Sequence, residues 1–210
     1  MTDKAITSIK RHAEAGAQLR KQFFDSQAEH IANMALRLAV TLAKGGKLLI
    51  CGNGGSAADA QHMAAEFVNR FLMDRPPLPA IALTTDSSIL TAIGNDFGFD
   101  LVFAKQVAAL GRPDDILLVI STSGNSKNIL LALEEAQKLG IFCLGLTGKG
   151  GGAMAKLCNA LIDVDNNSTP LIQEIHVAVE HLLCELTDYF LFENVEVLVP
   201  YLDGGKQLPA

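Results

Sequence analysis

The stretch ILLVISTSGNS, Ile116 to Ser126, decides the architecture of this chain. An apolar run, Ile116 to Ile120, stops at Ser121-Thr122-Ser123-Gly124-Asn125-Ser126, and a helical pattern follows from Lys127 to Leu139. A short apolar run without polar alternation reads as a strand buried on both faces. A strand that feeds a helix through such a turn builds an anion cradle. Backbone N–H groups at the helix start point outward, the helix dipole favours negative charge, and hydroxyls add donors. One serine would cap the helix. The hydroxyls of Ser121, Thr122, Ser123 and Ser126 around Gly124 exceed that need and point to phosphate binding.

Working outward, four more short apolar runs share this character: Leu48 to Cys51, Ala80 to Thr84, Phe142 to Leu146 and Ala160 to Val164. Helical stretches separate them, so the expected fold is α/β, a three-layer sandwich around a five-stranded parallel sheet. The first 45 residues carry helical periodicity and read as two helices, 4–24 and 27–44, stopped by Gly45-Gly46. Thr169 to Phe192 reads as a long final helix with apolar positions Ile172, Ile175, Val179, Leu182 or Leu183, and Leu186. Residues 1–195 then form one domain and 196–210 a tail, with a weak extended pattern after Val195.

Bulk composition narrows the classes. The 210 residues are 49% hydrophobic, enough for one well-buried domain and too few for two. A net charge of −6, with 17 basic residues spread along the chain, argues against a nucleic-acid surface. No apolar stretch approaches membrane-spanning length, and the start lacks a secretory h-region. Cys51, Cys143, Cys158 and Cys184 show no paired spacing and read as reduced core thiols, which suits a cytoplasmic protein.

In an open parallel sheet, ligands bind beyond the carboxyl ends of the strands. The loops expected there are rich in Gly, Ser, Thr and Asn: Gly52 to Ser56, Thr84 to Ser88, Ser121 to Ser126, and Thr147 to Gly152. Gly52-Asn53-Gly54-Gly55-Ser56 matches neither a dinucleotide fingerprint nor a Walker loop. Small loops without a reaching lysine suit one terminal phosphate plus sugar hydroxyls. Asn53 could both donate to and accept from a polyol, and Gly54 and Gly55 allow close backbone approach.

On the next helix Ala60, Met63 or Ala64, Phe67 and Phe71 form the apolar stripe, with Asp59, His62, Glu66 and Asn69 opposite. His62 and Glu66 are four apart, a spacing that suits two metal ligands, a base with its positioning group, or a surface pair. The last helix carries Gln173, Glu174, His176, Glu180 and His181. His176 and Glu180 share the same spacing, so periodicity does not choose between the pairs. Gln173 and His181 lie roughly 12 Å apart along a helix, so one ion reaches both only midway between them or with help from a second chain.

Five blocks, CGNGGSAADAQHMAAEF, AIGNDFGF, ISTSGNS, LTGKGGG and IQEIHVAVEH, occur in order and together resemble the bacterial phosphoheptose isomerases. These are single sugar-isomerase (SIS) domain proteins with a flavodoxin-like sheet. The resemblance extends from the N-terminal helices to about residue 190. It implies conversion of D-sedoheptulose 7-phosphate to D-glycero-D-manno-heptose 7-phosphate through a cis-enediol, the first step of nucleotide-activated heptose synthesis. It also implies one zinc ion per subunit on His62, Glu66, Gln173 and His181, leaving His176 out. Implied substrate contacts are Asn53, Gly54, Gly55, Ser56, Glu66, Asn95, Asp96, Ser121, Thr122, Ser123, Ser126 and Gln173, with Glu66 and His181 as the acid/base pair. A homotetramer with active sites between subunits is implied as well. The chain departs from the family at Thr169-Pro170-Leu171, where many relatives carry a basic residue, and in the tail from Glu196.

Two other readings compete. A non-catalytic tetrameric branch that binds the bacterial replication initiator is similar in Pro77 to Asp86 and in Ala104 to Gly111. That branch has lost the acidic residue at position 66, which this chain keeps as Glu66. The third reading is a SIS protein for another phosphosugar, or a sugar-phosphate sensor; the first 45 residues make a poor DNA-binding domain.

Overall fold

The computed structural model describes residues 2–208. Helix α1 (Thr2–Ala43) leads into β1 (Leu48–Gly52), α2 (Gly55–Val68), β2 (Ala80–Ala82), α3 (Ser87–Phe97), α4 (Ala104–Leu110) and β3 (Ile116–Ser121). Then come α5 (Lys127–Lys138), β4 (Phe142–Gly148), β5 (Ala160–Val164), α6 (Thr169–Asp188) and the short α7 (Val199–Leu202). All strand pairs are parallel and the order is β2-β1-β3-β4-β5. The five runs expected as strands are the five strands, with β2 stopping at Ala82 where a turn takes over.

The two-residue period of each strand sorts its side chains into two cores. Leu48, Ile50, Ile116, Leu118, Ile120, Leu144 and Leu146 pack with α1, α2 and α6. Leu49, Cys51, Leu117, Val119 and Cys143 pack with α4 and α5. Every residue of β1 and β3 is buried, which is why these strands show no polar alternation. The sheet reverses its winding direction between β1 and β3. The loops leaving those two strands therefore diverge and leave a crevice at the switch point.

Two expectations are corrected. The N-terminal region is one helix, not two. Asp25-Ser26-Gln27 resembles a helix start but contains no breaker, and Ser26 Oγ donates to the Phe23 carbonyl at 3.0 Å, absorbing its hydroxyl within the helix. Gly45 (φ 86°) and Gly46 do end it, and a Cβ on Gly46 would strike the Asp114 carbonyl. Residues after Val195 are not extended: a 3₁₀ turn at Val195–Val197 runs into α7. Leu198 and Tyr201 bury themselves against Leu36, Ala39 and Val40 of α1, which supplies this segment with an apolar helix face to fold on. Of the tail, residues 209 and 210 lie outside the described residues.

Candidate active site

At the switch point the β1 and β3 loops are joined by a reciprocal amide pair. Asn53 Nδ2 donates to Asn128 Oδ1 and Asn128 Nδ2 donates to Asn53 Oδ1, both at 2.9 Å. Asn128 is buried, so Asn53 is held in orientation while each amide keeps one N–H and one lone pair free. Gly54 has φ 57° and ψ −121°, a conformation closed to residues with a side chain. A Cβ on Gly55 would stand 2.5 Å from Nε2 of Gln173, so this glycine makes the space that Gln173 fills. Ser56 is buried beneath Gly52 rather than facing outward.

The serine loop is braced from behind. Thr147 Oγ1 donates to the Ser121 carbonyl at 2.8 Å, and the His176 ring contacts the Thr147 carbonyl through Nε2 at 2.9 Å. Gly124 (φ 63°) lies so close to Gly151 that a Cβ would overlap its carbonyl. Asn125 accepts from the Ala153 N–H at 2.9 Å and donates to the Ser123 carbonyl at 2.8 Å. Lys149, Gly150, Gly151 and Gly152 all have positive φ, giving the loop after β4 the tight backbone that permits this contact. That loop thus braces the serine loop. Ser126 occupies the N-cap position of α5, yet its side chain caps nothing; its hydroxyl sits 3.4 Å from that of Ser121. The first N–H groups of α5 therefore keep their donors for a ligand, the arrangement that binds anions.

The titratable residues gather where α2 meets α6. His62 Nε2 lies 3.1 Å from Glu66 Oε1. The His62 and His181 rings stand edge to face at 5.1 Å, and Phe71 stacks on His181 at 5.3 Å. His62, Glu66 and His181 are thus neighbours within one chain. Gln173 is apart, at Gly55, about two to three helical turns from that group along α2 and about two along α6. Among the described residues no three His, Cys, Asp or Glu side chains converge as a formed metal cluster. The donor types are nevertheless those zinc takes: two imidazoles and a carboxylate, with the Gln173 amide standing apart from them.

The rival pair on α6 is turned inward. His176 is fully buried against Thr147, and burial lowers its pKa to about 4. Glu180 is 1% exposed with neither oxygen hydrogen-bonded; burial, then Asp59, pushes it up to about 9. Asn95 and Asp96 are exposed on α3, where Asn95 Nδ2 donates to Asp96 Oδ1 at 2.8 Å. α3 buries none of its residues, and among the described residues no hydrogen bond or ion pair joins this pair to the other candidates. Asn128, two residues past the serine loop, is a structural partner that sequence reasoning missed; Thr147 was read only as the start of a loop and Phe71 only as part of an apolar stripe.

The SIS-domain family profile matches residues 11–148. The chain is 62% identical to a phosphoheptose isomerase of Nitratidesulfovibrio vulgaris, across 97% of this chain and 98% of that one. It is 64% identical to one of Desulfovibrio desulfuricans, across 96% of both. The chain belongs to the phosphoheptose isomerases of the SIS-domain family. A solved phosphoheptose isomerase from Francisella tularensis superposes with a TM-score of 0.85 at 44% identity, covering 88% of this chain and 98% of that one. One from Neisseria gonorrhoeae gives 0.83 at 41%, with the same coverage. Membership in the phosphoheptose isomerases bears out the expected fold and the isomerase class. Among the described residues no helix is long and apolar enough to cross a membrane, and all four cysteines are free.

Proposed function

We propose that this chain is an aldose–ketose isomerase that converts sedoheptulose 7-phosphate to D-glycero-D-manno-heptose 7-phosphate. The observation that carries the reading is the presence in one chain of two features: an uncapped, hydroxyl-lined helix start beyond β3, and a carboxylate–imidazole group where α2 meets α6. The helix start holds the phosphate through Ser121, Thr122, Ser123 and Ser126. Asn53 and the backbone of Gly54 and Gly55 meet the sugar hydroxyls, and Asn95 and Asp96 add contacts. Binding the charged end far from the reacting carbons uses affinity for positioning.

The reaction removes a proton from C1 of the open-chain ketose and returns one to C2, while a second proton passes from O1 to O2. Glu66 and His181 carry these transfers between them. Glu66 is half-buried and rests against His62, which orients its carboxylate. His181 rests against His62 and Phe71 with a ring that can both give and take a proton. His62, Glu66, Gln173 and His181 would hold one zinc ion, which supplies positive charge beside the developing enediolate oxygen.

The separation of Gln173 from His181 and an α3 that packs on the core only through Leu90 and Ile93 favour assembly as a homotetramer, in which a neighbouring chain completes each site. α3 leaves Ile89 and Phe97 uncovered, with Phe99 just beyond, and α1 leaves Ile6 and Ile9 uncovered, as expected of surfaces that meet other copies. The setting is cytoplasmic, in keeping with four free thiols. Retention of Glu66 opposes the scaffold reading. Glu66→Gln tests the assignment: turnover of sedoheptulose 7-phosphate should fall at least about a thousandfold with unchanged assembly, whereas near-normal turnover removes Glu66 from the chemistry.

A further inference from the structure

Arg75 sits in the segment returning from α2 to β2, with only 1% of its side chain exposed. Its Nε donates to Asp188 Oδ1 at 2.8 Å. Nη1 donates to the carbonyls of Phe67 at 2.8 Å and Pro76 at 3.1 Å, and Nη2 donates to the carbonyl of Glu66 itself at 3.0 Å. The last carbonyls of a helix have no partners within it, and here one guanidinium takes two of them from α2. Asp188 is the last residue of α6, seven after His181 and so on the same side of that helix. Between them Cys184 is buried.

We propose that Arg75, with Asp188, is the positioning residue of the reaction, a buried clamp that fixes the Glu66 turn of α2 against the His181 end of α6. The inference rests on Glu66 and His181 being the proton-transfer pair. A guanidinium is a planar fork with donors in fixed directions, so it sets distance and angle together; an ammonium on a flexible stem sets neither. Burying a charge is costly unless it is paired and hydrogen-bonded, and apart from the bond to the neighbouring Pro76 carbonyl, every bond named here ends on α2 or α6, the elements that carry the reacting groups. Removing the fork while keeping the charge lets the two helices shift relative to each other, and a shift of this kind is felt in the chemical step before it is felt in phosphate binding.

The test is Arg75→Lys, beside Asp188→Asn and Glu66→Gln, assayed as the assembled protein in zinc-containing buffer with sedoheptulose 7-phosphate. For Arg75→Lys the expected result is kcat lower by roughly 10- to 100-fold with KM nearly unchanged, because the phosphate clamp lies on the β3–α5 loop. Amide hydrogen exchange in the last turn of α2 should quicken, a readout that does not depend on activity. Asp188→Asn should shift kcat the same way by less, and it carries the test if Arg75→Lys does not fold. Unchanged kcat in the folded variants, or a loss confined to KM, overturns the clamp. Full turnover by Glu66→Gln overturns the underlying assignment instead, and Glu66→Gln inactive beside a fully active Arg75→Lys overturns the clamp alone.

Discussion

Ser126 separates two roles that a serine at a helix start can play. A capping side chain is worth about 1 kcal/mol, and its loss is read in stability. The Ser126 hydroxyl makes no cap bond, so Ser126→Ala should leave the melting temperature within about 1 °C while raising KM for the phosphosugar several-fold. A clear drop in melting temperature with KM unchanged would return this residue to an ordinary capping role. Gly124 behaves in the opposite way, since a side chain there meets both a positive φ and the Gly151 backbone and would disturb the loop as a whole. Glu180 and His176 show what the sequence hides at this scale. Both share the four-residue spacing of His62 and Glu66, and only the rotation of α6 within the packed layer decides that they face inward. Spacing specifies which side chains share a helix face, but not which face the sheet covers.

At the scale of elements, the buried face of α6 gives the fold a pH dependence. Burial holds Glu180 protonated up to about 9, whereas the unfolded chain releases that proton near 4.5. Between those values the folded state binds more protons, so this residue's contribution to stability is present at low pH and is lost as pH rises. His176 works with the opposite slope: its folded value of about 4 lies below the ordinary 6.5, so its contribution is lost as pH falls through that window. Glu180→Gln should therefore melt higher than the parent at about pH 8, with the gap closing toward about pH 4. Thermal denaturation across that range measures it, and a constant gap would mean that the carboxyl does not titrate as described. The elements themselves were largely legible. Five short, largely apolar runs without clear polar alternation, separated by helical patterns, specify a buried parallel sheet, because that arrangement satisfies strands without a polar face. The unbroken α1 was not legible, because Asp25-Ser26 offers the side-chain chemistry of a helix start without the backbone need for one. The helical turn of α7 was hidden for another reason: its order comes from packing Leu198 and Tyr201 on α1 rather than from its own periodicity.

For the whole molecule, α2 and α6 bring His62, Glu66 and His181 together, and the β1 and β3 loops flank the switch point. Gln173, Asn95 and Asp96 stand outside that grouping within one chain. The motifs could name these residues but not say how they meet, since contact between chains is a property of surfaces and not of local spacing. Light scattering should report a mass four times that of the chain. Metal analysis of the purified protein should find about one zinc per chain, lost in His62→Ala without loss of assembly; unchanged occupancy in that variant would remove His62 from the site. The most direct measurement is turnover itself: sedoheptulose 7-phosphate incubated with the zinc-loaded protein and followed by NMR. The account predicts steady appearance of the aldose heptose 7-phosphate, and a fully assembled, zinc-loaded protein that forms no aldose would contradict it.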